Sequence, residues 1–254
     1  MSAEYRLITG AENPELVRKT AARIGAEWPE FMLHDQTANL LDDCYKKLPD
    51  FQFVLTASEN DPPVAIGNST PLLWEDKIEN LPDEGWDWAL KKGIDDNRRG
   101  RRTNIICALQ IVVFSENRGR HLSGRAVKAM KLVGSKAGLK GMIAPVRPNR
   151  KPEFPRQPIE DYIKRTDDDG RPFDPWLRVH QRLGARIIKP CHKAMYITGT
   201  IAEWQAWTGM VFDKSGLYDI PGALVPVAID IDRDKGIYIE PNVWMYHPPE
   251  TIQP

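Results

Sequence analysis

Apolar and polar residues follow two different periods along this chain, and together they predict a mixed series of strands and helices. Short apolar runs predict strands at residues 5–9, 51–57, 64–73, 103–114, 141–146, 185–189, 193–198, 223–230 and 236–240. Apolar residues spaced three or four apart predict helices at 13–27, 36–47, 122–138, 158–165, 175–183 and 201–207. This order predicts an α/β fold with a mixed central sheet flanked by helices.

Turn residues and local composition suggest how the chain is divided. A turn at 59–63 would join two strands into a hairpin, and a second strand pair is expected at 185–198. Residues 75–102 are polar and carry no predicted element. Residues 147–175 are rich in Pro, Arg and Asp and are expected to form an insertion. We therefore expect one domain over 1–209, followed by a β-rich extension with a C-terminal hairpin over 210–254.

Charge and composition exclude several classes of function. The 254 residues include 35 Lys and Arg against 35 Asp and Glu, so no basic excess favours nucleic acid as a main partner. No apolar run approaches the ~20 residues of a membrane helix, and the first residues lack a secretion signal, so a cytoplasmic protein is expected. Cys44, Cys107 and Cys191 are widely spaced, which supports no disulfide framework and no metal site.

The segment from Leu109 to Ser123 predicts a binding site for an anion. An apolar strand leads into a basic turn that contains Gly119, and a helix follows. The first N–H groups of a helix have no internal partner, and the helix dipole favours negative charge there. Arg118 and Arg120 would add full charges beside these N–H groups. A phosphate or pyrophosphate is the expected ligand.

These residues resemble the GNAT superfamily of acyl-CoA-dependent N-acyltransferases. The run from Arg118 to Ser123 is similar to the family's Arg-Gly-x-Gly-Leu-Ser, with His121 at the position of the second glycine. Asn149 follows the next strand, as an asparagine does in the family. The run from His180 to Ala185 resembles the family's Tyr-Glu-Lys-Leu-Gly-Phe box, with His180 in place of the tyrosine. The resemblance covers about residues 1–199.

The resemblance implies transfer of an acyl group from acyl-CoA to a small-molecule amine by direct attack in a ternary complex. The pyrophosphate of CoA would bind the turn; its residues are Arg118, Gly119, Arg120, His121, Leu122 and Ser123. Ile111 and Val113 would bind the pantetheine arm where their strand separates from its neighbour at 141–146, and one N–H there would hold the thioester oxygen. Asn149 would either hold the cofactor or cap the following segment. His180 would protonate the departing thiolate.

The sequence leaves the catalytic base, the acyl donor and the oligomeric state open. The strand 103–115 contains no Asp or Glu, so the base is sought in Glu116, His192 or a water chain. One alternative donor is an acyl carrier protein, which would bind a basic patch formed by Arg98, Arg99, Arg101 and Arg102. Another alternative is a non-catalytic CoA-binding protein of the same fold. A homodimer is also left open.

Overall fold

Nine strands form one sheet in the computed structural model, which describes residues 5–58 and 61–249. The other residues, 1–4, 59–60 and 250–254, include part of the predicted hairpin turn at 59–63 and the last residues of the predicted extension. The strands are β1 (Arg6–Thr9), β2 (Gln52–Thr56), β3 (Ala65–Leu72), β4 (Ile105–Val113), β5 (Met142–Val146), β6 (Arg186–Gly199), β7 (Gly216–Tyr218), β8 (Val227–Asp230) and β9 (Lys235–His247). Their order across the sheet is β1-β2-β3-β4-β5-β9-β8-β7, with β6 also paired to β9. Among these strands of the described residues, β4 and β5 form the one parallel pair, so the predicted mixed sheet is confirmed.

Helices cover both faces of this sheet. They are α1 (Pro14–Ala21), α2 (Leu41–Lys47), α3 (Gly85–Arg98), α4 (Leu122–Lys136), α5 (Ile159–Tyr162), α6 (Pro175–Arg182) and α7 (Ile201–Thr208). The side chain of Asn13 caps α1 by accepting from the N–H of Leu16, and Pro14 occupies its first turn. Short 3₁₀ turns replace the rest of the two predicted N-terminal helices, at Ile24–Glu27 and Gln36–Leu40.

The two faces of β4 contribute to different cores because alternate side chains point to opposite sides of a strand. Cys107 and Leu109 pack with residues of α2 and α3 on one face. Ile106 and Ala108 pack with residues of α4 and α6 on the other face. A ligand bound along the edge of β4 would therefore lie between the helices of one face and those of the other.

The helix α3 was not predicted, and the strand pair expected at 185–198 is wrong. The segment is the single strand β6, which pairs with β9 rather than folding back on itself. The register with β9 is irregular between Cys191 and Met195, and this break accounts for the interrupted apolar pattern. The short strand β7 was also not predicted.

β9 ties the last part of the chain into the centre of the sheet. Its C-terminal half pairs with β5, from Val243 opposite Val146 to His247 opposite Met142. Its N-terminal half pairs with β8, and both halves pair with β6. The boundary expected at residue 209 therefore falls inside one continuous sheet.

Candidate acyl-CoA site

A cavity of about 690 Å³ opens where β4 and β5 separate. The two strands pair only through Ile106 with Met142 and Cys107 with Ile143, although both continue beyond these residues. The cavity is within the size range of pockets that bind small molecules and cofactors. Its walls include nine of the eleven predicted site residues: Ile111, Val113, Arg118, Gly119, His121, Leu122, Ser123, Asn149 and His180.

The open edge of β4 presents backbone N–H groups to this cavity. The N–H of Phe114 donates to the carbonyl of Val64, 3.2 Å away, on the β3 side. Since N–H groups alternate in direction along a strand, those of Ile111 and Val113 point away from β3 and towards β5. β5 does not pair with β4 at this level. These two N–H groups can therefore bind an extended ligand that takes the place of a neighbouring strand.

The turn after β4 forms a backbone cradle at one end of the cavity. Gly119 has a φ of 80°, and His121 has a φ of 55°, both in the left-handed region. Within the described chain, no residue accepts a hydrogen bond from the N–H groups of residues 119–123. Successive free N–H groups at the start of a 15-residue helix form a site for an anion. The geometry suits a phosphate or pyrophosphate.

The two arginines of the turn are placed differently. Arg118 lines the cavity, and its Nη2 lies 2.5 Å from Oε2 of Glu27. The other oxygen of Glu27 accepts from the N–H of Ser115 at 2.9 Å, so Glu27 braces the turn. Arg120 is exposed and is not among the residues that line the cavity. No local pattern pointed to Glu27, which lies 91 residues before Arg118 in the chain.

His180 is a buried member of the cavity wall. Its Nδ1 lies 2.9 Å from Nε2 of His247, and the ring of Trp176 meets it edge-on at 4.4 Å. Burial, followed by the neighbouring His247, lowers the pKa of His180 to about 3. The imidazole is therefore neutral at pH 7. Its Nε2 has no hydrogen-bond partner among the described residues.

Neither of the candidate bases named from the sequence reaches the cavity. Glu116 is exposed and pairs with Arg23, and its pKa is lowered, first by its own backbone N–H. His192 is held between Asp83 and Glu160, and the hydrogen bond to Glu160 raises its pKa most. Both side chains lie outside the set that lines the cavity. The structure thus gives no geometric support to Glu116 or His192 as the base.

A polar cluster on the cavity wall was not predicted from the sequence. Arg147 directly follows β5, and Glu240 and Asn242 lie on β9. Glu240 is fully buried, and its carboxylate accepts from Arg147, Tyr238 and Asn242. The sequence signal was weak: Glu240 is the one charged residue of the predicted strand 236–240 and stands at its end.

The described residues were also searched for metal-binding groups and for membrane-spanning helices. Among residues 5–58 and 61–249, no three His, Cys, Asp or Glu side chains are grouped to hold a metal ion. No helix in the same residues is long and apolar enough to cross a membrane.

Comparison with known proteins gives one relative matched along nearly its whole length. The chain is 28% identical over 274 aligned residues to the arginine N-acetyltransferase avaD of Aspergillus versicolor, covering 96% of this chain and 94% of that protein. No protein-family model matches the sequence.

Two solved structures share the fold along their length. The loading GNATL domain of CurA from Lyngbya majuscula superposes with a TM-score of 0.55 at 15% identity, covering 96% of this chain and 98% of that one. The GphF GNAT-like decarboxylase in complex with isobutyryl-CoA superposes with a TM-score of 0.54 at 17% identity, with the same coverage of both chains. The chain therefore has the fold of these GNAT-like structures, and the relative matched along nearly its whole length supports the resemblance to the GNAT superfamily of N-acyltransferases.

Proposed function

We propose that this protein transfers an acyl group, most simply acetyl, from acyl-CoA to the amine of an arginine-like acceptor in a ternary complex. The observation that supports it most is that one cavity joins the free N–H groups of β4 to the anion cradle at the start of α4. The acceptor class is drawn from the relative that acetylates arginine. A cytoplasmic location is part of this proposal.

In this proposal the donor lies along β4. The pyrophosphate accepts hydrogen bonds from the N–H groups of residues 119–123, and Arg118 adds charge beside them. Ile111 and Val113 bind the pantetheine amides as a strand would. One of their N–H groups faces the thioester oxygen, which gains negative charge as the amine attacks. Asn149, at the exposed mouth of the cavity, is assigned to the donor.

His180 supplies the proton transfer in this proposal. The amine nitrogen attacks the thioester carbon, which forms the C–N bond and a tetrahedral intermediate, and the C–S bond then breaks. A neutral imidazole can take the proton from the attached nitrogen and pass it to the departing sulfur, since both atoms are bonded to the same carbon. The hydrogen bond to His247 fixes the ring for this role. The amine must arrive deprotonated, because no free carboxylate near the cavity is assigned to that step.

The carrier-protein donor is not favoured. Three of the four arginines expected to form its basic patch are paired with aspartates. Arg98 contacts Asp43 at 2.7 Å, Arg99 contacts Asp95 at 2.9 Å, and Arg101 contacts Asp96 at 2.9 Å. Their charges are largely compensated within this surface, which leaves little excess to attract an acidic partner.

Release of free thiol from acetyl-CoA, measured against a panel of amines, tests the proposed function. We expect CoA release that requires an acceptor and is fastest with arginine or a close analogue. Binding of acetyl-CoA without any acylation across the panel would instead support a non-catalytic binding protein. Absence of CoA binding would refute the proposal.

A further inference from the structure

Arg147 and its partners form a second polar region of the cavity, apart from the anion cradle. The side chain of Arg147 is 19% exposed and lines the cavity immediately after β5. Ile143 of β5 and Tyr238 of β9 pack on the face of the sheet that carries α2 and α3. Arg147 and Glu240 lie on this face as well, because they follow those residues by four and two positions in extended chain. The cradle, in contrast, lies at the start of α4 on the opposite face.

The guanidinium of Arg147 is fixed on two sides. Its Nε lies 3.0 and 2.9 Å from the two oxygens of Glu240, and its Nη2 donates to the carbonyl of Gly222 at 2.6 Å. The ring of Trp28 lies 5.6 Å from the guanidinium carbon. The side chain therefore has little freedom left to lose when a ligand binds.

Glu240 cannot itself bind a cationic ligand in this arrangement. Its carboxylate already accepts from Arg147, from the Tyr238 hydroxyl at 2.8 Å and from the Asn242 amide at 3.0 Å. The side chain of Glu240 has no exposed surface. Its role is to hold Arg147 in position and to balance part of its charge.

The Nη1 group of Arg147 is the part of this cluster that remains available. No described residue accepts a hydrogen bond from it. The amide of Asn242 on the same cavity wall is already used, because its Nδ2 donates to Glu240 and to the carbonyl of Pro241. A rigid guanidinium with free N–H groups on the cavity wall is suited to a carboxylate, which an arginine binds in a defined orientation.

We propose that Arg147, held by Glu240, binds the carboxylate of the acceptor, so that the protein selects α-amino acids over the corresponding amines without a carboxylate. This inference rests on the proposed N-acyltransferase function and specifies its acceptor. An ion pair that only stabilises the fold does not need to lie on the wall of a cavity. Arg147 and Glu240 both line the cavity, which favours a role in binding a ligand.

The test compares acceptors that differ only in the carboxylate. Arginine, argininamide and agmatine (arginine without its carboxylate) are assayed with saturating acetyl-CoA. We expect kcat/KM for arginine to exceed the other two by about 10- to 100-fold, as expected for a charged hydrogen bond. Equal values in the unmodified protein would overturn the inference while leaving the proposed function intact. Failure to acylate any of the three would count against the proposed function itself.

A double variant, Arg147→Met with Glu240→Gln, removes both charges and so avoids leaving a buried carboxylate unpaired. We expect it to lose most of the preference for arginine, with kcat/KM for agmatine changed far less. The control is Arg150→Met, because Arg150 is more exposed and pairs with Glu153 outside the cavity. If KM for acetyl-CoA rises equally with every acceptor, Arg147 binds the acyl-CoA donor rather than the acceptor carboxylate, and the inference is overturned. If the double variant does not fold, the comparison of acceptors in the unmodified protein decides the question.

Discussion

His121 stands where the similar GNAT motif has a glycine, and it adopts the left-handed backbone conformation that glycine favours. It has φ 55° and ψ 27°, a left-handed conformation in which glycine is more stable than other residues. Histidine is one of the residue types found there more often than most. The exposed side chain leaves the N–H groups of the turn free. The turn therefore keeps its shape at a local cost in free energy.

The variant His121→Gly tests whether the His121 side chain only adds strain to the turn. Relief of the left-handed strain is partly offset by the larger backbone entropy of glycine in the unfolded chain, so the free energy of unfolding should rise by up to about 1 kcal/mol. CoA binding should persist. Urea unfolding and equilibrium titration with CoA measure the two effects. The matched variant is Gly119→Ala, since Gly119 has φ 80° and open space around it; it should lose about 1 kcal/mol. A large loss of CoA binding in His121→Gly would show that the imidazole itself holds the ligand.

The variant His180→Phe tests the proton transfer. Phenylalanine keeps the ring in its apolar surroundings but removes both nitrogens, so kcat should fall by about 100-fold or more. KM for acetyl-CoA should change little, because the donor is held by backbone groups. Steady-state kinetics at saturating acetyl-CoA decides the point, and a near-normal kcat would exclude His180 from the chemistry.

Among the secondary-structure elements, α3 was the hardest to predict from the sequence. Its buried residues include Gly85, Asp87, Gly93 and Asp96, which interrupt the apolar pattern of a helix. Asp96 is buried because it accepts from Lys92, Arg101 and the N–H of Leu73. In contrast, β4 and α4 were predicted well, since their apolar residues follow a regular period and a turn separates them.

Asp87 of α3 gives this helix a distinctive pH dependence. It is buried near Asp35, and one oxygen of each carboxyl group lacks a partner among the described residues. Burial, followed by the charge of Asp35, raises the pKa of Asp87 to about 7, while Lys91 opposes the shift. A raised pKa stabilises the fold below the unfolded-state pKa, and this contribution is lost as pH rises through about 7.

The variant Asp87→Asn should therefore be more stable than the unmodified protein at pH 8, by about 1–3 kcal/mol, because it buries no second charge beside Asp35. At pH 5 the difference should shrink. Denaturant unfolding at both pH values measures it. Asp95→Asn on the same helix is the control, since Asp95 is exposed and pairs with Arg99. A difference that does not vary with pH would contradict the assignment.

At the scale of the whole molecule, the cavity is assembled from parts of the chain that lie far apart. Arg147 and Glu240 are 93 residues apart in the sequence, and the pairing of β5 with β9 brings them together on the cavity wall. The local motif at 109–123 could be used to predict the donor side because all its parts are neighbours in sequence. Pairs such as His180 with His247 depend on the pairing of β9 with β5, which no local pattern reveals.

A chain that ends at residue 209 tests the importance of β9 directly. It would lack β7, β8 and β9, and it would expose the paired edges of β5 and β6. We expect this shortened chain to be unfolded or aggregated, with no cooperative transition by circular dichroism. A folded 1–209 fragment that binds CoA would show instead that the predicted domain boundary is real.

The central claim is tested most directly by measuring CoA release and N-acylated product together, with acetyl-CoA in the presence and absence of arginine. The account predicts one equivalent of CoA for each equivalent of N-acetylated acceptor, and almost no thioester consumption without the amine. Thioester turnover that does not depend on an amine, or CoA release without an N-acylated product, would contradict it.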